Sequence, residues 1–190
     1  MNLHMFAVCI ITLLCLTSVS HSAPLACEDL VQPLDQLDPH QLEGRWALAA
    51  GSLKINGADK LPPLSNSVRI DFYNSTFTQA NRDGPHCRSR SQNISIEGHR
   101  FNFMIGQTFN FSGTFFKTSC PDCVMLNLVV DSPNYKSVEL YLFSKRREVD
   151  QKELDEFVSQ VKCLNMPPHF VMDPTQSLCP VTVPAASTKA

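Results

Sequence analysis

Short runs of alternating apolar and polar residues fill the chain between Gly44 and Ser144. In one of them Val68, Ile70 and Phe72 are separated by single, more polar residues. This period of two residues is typical of a strand with one buried face. Turn residues separate about eight such runs, which predicts an antiparallel β-sandwich or β-barrel. The runs are 46–53, 68–73, a short one at Phe77, 88–96, 101–105, 108–116, 124–130 and 137–143.

The period changes from two residues to a helical one after the last of these runs. Asp150 and Glu153 have the spacing of a capping box. Apolar residues then recur at i, i+3, i+4 and i+7, namely at Leu154, Phe157, Val158 and Val161. Two prolines at 167 and 168 end the pattern. We therefore predict one amphipathic helix, packed on its apolar face.

Length and charge favour one globular domain without a nucleic-acid partner. The chain has 190 residues and a formal net charge of -2, and a chain of this size commonly folds as one domain. Its 16 Lys and Arg residues are scattered. A domain that binds nucleic acid usually carries a clustered basic stripe, so we expect no such partner.

The N-terminus has the pattern of a signal peptide. Residues 5–16 are apolar (MFAVCIITLLCL), and residues 17–22 are small and polar. The apolar run is shorter than the roughly 20 residues of a membrane span, and it fits the apolar part of a signal peptide. We predict a signal peptide at 1–22, one secreted domain at 23–180 without stable membrane insertion, and a disordered tail at 181–190.

Export decides how the cysteines are interpreted. Cys9 and Cys15 lie in the predicted signal peptide, and six of the eight cysteines remain. An even number of cysteines in an oxidising compartment indicates a set of disulfides. Their spacing alone leaves the pairing open.

Three N-glycosylation sequons orient the predicted strands. They begin at Asn74, Asn93 and Asn110. A glycan cannot face the core, so an outward Asn110 turns the phenylalanines on either side of it inward. If the sheet closes as an eight-stranded barrel, its interior is either filled by side chains or holds one small ligand. The candidate ligand-binding residues are Phe72, Phe101, Phe103, Phe109, Phe111, Phe115 and Tyr141.

The start of the first predicted strand resembles a known family. Gly44-x-Trp46 opens that strand, and the amphipathic helix follows the last one. This combination resembles the lipocalin family. It implies an all-β fold, an eight-stranded antiparallel up-and-down barrel with one C-terminal amphipathic α-helix. It also implies that Trp46 packs at the closed end of the barrel, under Lys145 from the end of the last strand.

Other segments are similar to particular branches of the family. Residues 27–31 (CEDLV) and 154–157 (LDEF) are similar to alpha-1-acid glycoprotein, and residues 119–127 (SCPDCVMLN) to apolipoprotein M. The combination is similar to fish plasma lipocalins that bind tributyltin or saxitoxin and tetrodotoxin. This resemblance implies the disulfides Cys27–Cys163 and Cys87–Cys179, and leaves Cys120–Cys123 as a local third bond.

The resemblance implies a carrier in an extracellular, plasma-like fluid. Its ligand would be a small hydrophobic or amphipathic molecule, such as a lipid, a steroid, an organotin or a guanidinium toxin. We expect a monomer. An alternative is a surface-interaction protein whose barrel is filled.

One motif has the composition of a redox site. Cys120-Pro121-Asp122-Cys123 has C-x-x-C spacing, but a thiol–disulfide catalyst has this motif between a strand and a helix. Here the motif lies between two predicted strands. We therefore expect a structural disulfide and a protein that is not an enzyme, with neither a metal nor another cofactor. A thiol–disulfide or isomerase-type lipocalin enzyme is the alternative, which a free-thiol assay would distinguish.

Overall fold

The computed structural model describes residues 26–56 and 62–181. The predicted signal peptide at 1–22 lies outside these residues, as does the predicted tail apart from Val181.

One curled antiparallel sheet forms the body of the described chain. Its strands are β1 Gly44–Ile55, β2 Ser67–Tyr73, β3 Thr76–Asp83, β4 His86–Asn93, β5 Ser95–Glu97, β6 Arg100–Ile105, β7 Phe109–Phe116, β8 Cys123–Ser132, β9 Tyr135–Ser144 and β10 Phe170–Val171. Their order in the sheet is β4-β3-β2-β1-β9-β8-β7-β6-β5, and the short β10 pairs with β1. The two end strands, β4 and β5, are consecutive in the chain and are separated by Ile94 alone, so the sheet forms a nearly closed barrel.

The strand count corrects the sequence prediction. An antiparallel barrel-like sheet followed by a helix is confirmed, but among the described residues nine strands, β1 to β9, form the barrel rather than eight. The additional strand arises because the predicted run 88–96 changes partner at Ile94: β4 pairs with β3, and β5 pairs with β6. Ile94 is buried, and its N–H donates to the carbonyl of Ser75 at 2.8 Å. Alternation alone does not reveal such a change of partner.

The predicted helix is present over Gln151–Cys163 and is the third helix of the described chain, α3. Its capping box is complete, because Glu153 N donates to the Asp150 carboxylate and Asp150 N to the Glu153 carboxylate, both at 2.8 Å. Two four-residue helices that the sequence analysis did not predict precede the barrel, α1 Cys27–Leu30 and α2 Pro39–Leu42. Among the described residues, no helix is long and apolar enough to cross a membrane.

The sheet has an apolar core on each face. The outer core lies between the sheet and α3, whose Phe157 and Val161 are buried there against Met125, Leu140 and Leu142. The inner core lies inside the barrel and contains Trp46 with most of the phenylalanines. Adjacent residues of β8 and β9 therefore serve different cores, as alternation along a strand requires.

Three disulfides fix the terminal segments to the barrel. Cys27–Cys163 joins α1 to α3, Cys87–Cys179 joins β4 to the C-terminal arm, and Cys120–Cys123 closes the connection between β7 and β8. These are the pairs that the resemblance implies. The first two close loops that span 136 and 92 residues of sequence. Disulfides that close long loops stabilise a fold by about 4–5 kcal/mol each in the chain-entropy account.

Candidate functional site

The closed end of the barrel is built around Trp46. Gly44 begins β1 with a φ of +114°, which residues with a Cβ rarely adopt. The indole Nε1 of Trp46 donates to the carbonyl of Leu42 at 2.8 Å, so α2 covers this end. Lys145 Nζ lies 4.7 Å from the centroid of the Trp46 ring. The structure thus brings Gly44, Trp46 and Lys145 together as the resemblance implies.

Phenylalanine rings fill the barrel above the tryptophan. Phe101 lies 5.4 Å from Phe115 and 5.9 Å from Phe103 between ring centroids, and Phe103 stacks on Phe111 at 4.7 Å. Phe77 of β3 lies 5.8 Å from Phe103 of β6 between ring centroids. The rings form a continuous aromatic column from the closed end toward the open end of the barrel.

Gly113 makes room for this column. A Cβ built on Gly113 would lie 2.2 Å from Cε1 of Phe101. The Phe101 ring therefore lies directly on the backbone of β7, and a larger residue at 113 would displace it.

The upper half of the barrel encloses a cavity with two adjoining compartments. The inner compartment, beside β1 and β9, has a volume of about 150 Å³, and the side compartment, beside β4, has about 380 Å³. Five residues line both: Phe77, Gln79, Asn81, Phe103 and Leu128. The inner compartment is also lined by Leu48, Pro63, Leu64, Ser65, Val68, Phe101, Leu126, Tyr141, Phe143, Phe170 and Met172. The side compartment adds Arg88, Ser89, Arg90, Gln92, Ile105 and Phe111.

The structure divides the predicted ligand-binding residues into two groups. Four line the cavity: Phe101, Phe103, Phe111 and Tyr141. The other three do not. Phe72 and Phe115 are buried in the inner core below the cavity, and Phe109 is 38% exposed at the start of β7. Alternation identifies the face of a strand but not the depth in the barrel, so residues from both rims were included in the prediction.

Several cavity residues were missed by the sequence analysis. Phe143 lies two residues after Tyr141, and Gln79 and Asn81 continue the alternation of Phe77, so the same period would have found them. Phe170 has no such signal, because it follows the helix and lies in a strand of two residues.

Phe170 enters the cavity wall through the pairing of β10 with β1. Gly51 is opposite Phe170 in this pairing and opposite Tyr141 in β9. A Cβ on Gly51 would lie 2.5 Å from Cζ of Phe170 and 2.9 Å from Cδ1 of Tyr141. The absence of a side chain at Gly51 therefore lets both aromatic rings lie against the backbone of β1.

The C-terminal arm beyond Phe170 is held against the outside of β2 and β3. Ser67 Oγ donates to the carbonyl of Ser177 at 2.8 Å, and Arg82 donates to that of Leu178 at 3.0 Å. Buried Arg69 donates to the carbonyl of Cys179, the residue of the arm that forms a disulfide. The arm thereby fixes the position of the strand that carries Phe170.

A half-buried carboxylate, that of Glu139, lies on the inner face of β9. Glu139 accepts hydrogen bonds from Ser137 Oγ at 2.7 Å and from Tyr141 Oη at 2.9 Å. Burial raises the pKa of the Glu139 carboxyl, although both hydrogen bonds act to lower it. Burial, followed by the charge of Glu139, raises the pKa of Tyr141 well above its usual value. Tyr141 thus presents the cavity with a neutral phenol whose hydroxyl is already engaged.

The side compartment carries the positive charge of the cavity. Arg88 pairs with Asn81 across β3 and β4, Arg90 with Gln79, and Gln92 with Phe77, so the β4 side chains are on the face that lines the cavity. The compartment therefore has two guanidinium groups beside an aromatic wall.

The three predicted glycosylation sites are all at the surface. Asn74 lies in the tight turn between β2 and β3 with a φ of +46°, and Asn93 and Asn110 are exposed on β4 and β7. Glycosylation at these residues stays a prediction.

The C-x-x-C motif lies outside the cavity. Arg146 Nη2 lies 3.2 Å from the Cys120 sulfur, and Arg146 Nε lies 2.7 Å from the Asp122 carboxylate. The ligand atoms of Cys120, Asp122 and Cys123 lie within 4.8 Å of one another. The two sulfurs are bonded to each other in a disulfide, so neither is a thiolate that could ligate a metal or attack a substrate.

Comparisons with known proteins identify the fold. The chain matches no protein-family model and no curated protein sequence. Among solved structures it is similar to the solution NMR structure of lipocalin 12 from rat epididymis, with a TM-score of 0.64 and 17% sequence identity. The match covers 77% of this chain and 91% of that chain. The described chain therefore has the fold of a lipocalin, with its antiparallel barrel and one C-terminal helix.

Proposed function

We propose that the protein is a secreted carrier that binds one small hydrophobic or amphipathic molecule in its barrel cavity. The observation that carries this proposal is the pair of adjoining compartments, of about 150 and 380 Å³. The walls of the inner compartment are mainly aromatic and aliphatic, and the side compartment combines apolar with polar side chains. Pockets for small molecules typically occupy about 300–1,000 Å³ and combine apolar walls with a few polar groups. A binding role is also what the lipocalin fold supports.

Side chains fill only the lower half of the barrel interior, which supports a carrier rather than a barrel that is filled throughout. Phe115 and Phe72 are 1% and 4% exposed and fill the lower half. Phe111 and Tyr141 are only partly buried, because they border the cavity in the upper half. A barrel that served only as a rigid scaffold would gain stability from filling that space.

Secretion is supported by the cysteines and by the predicted signal peptide. All six cysteines after the predicted cleavage site are in disulfides, and such bonds persist mainly in oxidising compartments. We take the protein to act in an extracellular fluid.

We also take the protein to be a binding protein without catalytic activity. The support is that Cys120 and Cys123 are joined in a disulfide. On the β9 side of the inner compartment, the hydroxyl of Tyr141 and the carboxylate of Glu139 are hydrogen-bonded to each other, and Glu139 also accepts from Ser137.

The choice of ligands to test follows the resemblance of the sequence. Similarity to alpha-1-acid glycoprotein, apolipoprotein M and the fish plasma lipocalins suggests a panel of a steroid, a sphingolipid, an organotin and a guanidinium toxin. These ligands differ in charge and shape, so competition among them would assign the ligand class.

A cavity-filling variant tests the proposal. The purified full-length glycoprotein is titrated with N-phenyl-1-naphthylamine, a neutral probe whose emission rises when it leaves water. We expect saturable one-to-one binding. Leu128 lines both compartments, so Leu128→Trp should weaken binding about tenfold or more, since its ring takes up space that the probe needs.

The matched control is on the next residue of the same strand. Val129 is 41% exposed on the outer face of β8, so Val129→Trp should bind the probe as the wild type does. Thermal unfolding of both variants checks that they fold. Failure of the wild type to bind would favour the filled barrel, and equal binding by the two Trp variants would place the probe outside the cavity.

A further inference from the structure

The barrel wall has a gap beside the side compartment. Among the described residues, β4 pairs only with β3, and β6 pairs only with β5 and β7. The part of β6 that pairs with β5 is Arg100–Asn102, so Phe103 and Ile105 have no strand partner on that side. Residues 86–91 of β4 are exposed. This unpaired stretch of the wall, the gap between β4 and β6, borders the side compartment, and its β4 edge is exposed to solvent.

The two sides of this gap differ in chemistry. The β6 side presents Phe103 and Ile105, continued by Phe111 of β7, whereas the β4 side presents Arg88, Arg90 and Gln92. A site with an apolar wall facing donors of positive charge matches a molecule that is apolar at one end and acidic at the other. Guanidinium groups bind carboxylate, sulfate and phosphate groups through paired N–H donors.

The positive charge in the gap is only partly neutralised by the protein. Arg88 forms an ion pair with Asp83. Arg90 forms no ion pair within the described residues. Glu139 is not among the residues that line either compartment, and its oxygens already accept hydrogen bonds from Ser137 and Tyr141. The charged side chains that line the cavity are thus arginines.

We infer that the cavity selects an amphipathic anion, with its apolar body against Phe77 and Phe103 and its acidic head group at Arg90 and Arg88 in the gap between β4 and β6. This inference rests on the proposed function, since it names the ligand class of the same cavity. Arg90 supplies an uncommitted guanidinium, and Arg88 can exchange its contact with Asp83 for one with the ligand. The gap lets the head group stay hydrated while the body leaves water.

Three C12 amphiphiles that differ only in head group test this inference. Laurate is the anion, dodecanol the neutral molecule and dodecylamine the cation, each below its aggregation concentration and each measured by displacement of N-phenyl-1-naphthylamine. We expect laurate to bind about tenfold more tightly than dodecanol, as one charge-assisted contact with a partly exposed guanidinium would give. Dodecylamine should bind most weakly. Added salt should reduce the preference for laurate.

Arg90→Gln and a matched control locate the head group. Arg100 is exposed on the neighbouring β6, and its side chain is on the outer face, so Arg100→Gln removes the same charge without touching the cavity. Arg90→Gln should lower the affinity for laurate about fivefold. The double variant with Arg88→Gln and Arg90→Gln should bind laurate no more tightly than dodecanol. Arg100→Gln should change neither.

Failure of this inference is distinct from failure of the proposed function. If the probe binds but laurate is no better than dodecanol, or Arg90→Gln and Arg100→Gln behave alike, the inference is overturned and the carrier stands. Tighter binding of dodecylamine overturns it in favour of a cationic ligand. If the wild type binds neither probe nor laurate in direct calorimetry, the proposed function fails as well.

Discussion

The two ends of the barrel use the same residue types for different purposes. At the closed end, α2 covers the strands, the Trp46 indole is hydrogen-bonded, and Phe72 and Phe115 are packed almost without exposure. At the open end the phenylalanines line compartments, β4 is exposed, and arginines face the interior.

Residues on the same strand can therefore have different roles, stabilising the fold at the closed end of the barrel and binding a ligand at the open end. A ring at the closed end is surrounded by other side chains, so its removal leaves an unfilled cavity in the core. A ring at the open end borders space that is already present. The same substitution should therefore cost stability at one end and change binding at the other.

The largest effect is expected along β7, which carries three phenylalanines on one face. Phe115 is 1% exposed, Phe111 lies partly buried at the cavity, and Phe109 is 38% exposed. Substitution by Ala should lower the free energy of unfolding by about 3–5 kcal/mol at Phe115, about 1–2 kcal/mol at Phe111 and less than about 0.5 kcal/mol at Phe109. Urea unfolding of each variant measures the gradient.

Probe binding should depend on a different one of the three residues, Phe111, because it alone lines the cavity. Phe111→Ala should alter the affinity for N-phenyl-1-naphthylamine more than Phe109→Ala. If Phe115→Ala does not fold, Phe115→Leu should still cost roughly half as much and keep the cavity intact. Equal losses of stability at Phe115 and Phe111 would contradict the contrast between the two ends.

A smaller effect is expected where β10 meets β1. Gly51→Ala should destabilise the protein by about 1–3 kcal/mol, because the new methyl group overlaps the Phe170 ring. Phe170→Ala removes most of that overlap, so Gly51→Ala should cost much less in the Phe170→Ala background. A double-mutant cycle by urea unfolding measures this coupling. Additive losses would show that the ring does not restrain position 51.

The sequence predicts the fold far better than it predicts the site. Period-two alternation identifies the barrel strands, and the capping box at Asp150 and Glu153 places the helix, because both signals depend on neighbouring residues alone. The split at Ile94 and the strand at Phe170 depend on which distant strands are partners. No local period reports that choice.

The residues that line the cavity are also only partly predictable from the sequence. Phe72 and Phe101 have the same orientation relative to the barrel, yet only Phe101 lines the cavity, because Phe72 lies lower in the column of rings. The arginines of β4 were overlooked because charged residues on an exposed strand are expected to face solvent. Their role appears only when the register with Gln79 and Asn81 is known.

The smallest effect is expected from Glu139, the half-buried carboxylate on the inner face of β9. Burial raises the pKa of Glu139 above its ordinary value of 4.5, so the folded protein holds this proton to a higher pH than the unfolded chain does. Between the ordinary and the raised pKa the folded state binds more protons, and stability must fall as the pH rises through that window. The contribution of the protonated Glu139 to the free energy of unfolding is fully present below pH 4.5 and is lost above the raised pKa.

Glu139→Gln should remove this dependence, because the amide is neutral at every pH. Ser137 and Tyr141 donate to different oxygens of Glu139, so the amide oxygen can replace one acceptor while the NH2 group donates to the other hydroxyl. Urea unfolding at several values from about pH 4 to about pH 7 should show the wild type losing stability relative to Glu139→Gln as the pH rises. The control is Glu97→Gln, which replaces an exposed carboxylate on β5 toward the closed end. Its free energy of unfolding should depend on pH in the same way as that of the wild type. If that of Glu139→Gln does so too, the carboxylate is hydrated in the folded protein, and the polar part of the cavity extends deeper than the gap between β4 and β6.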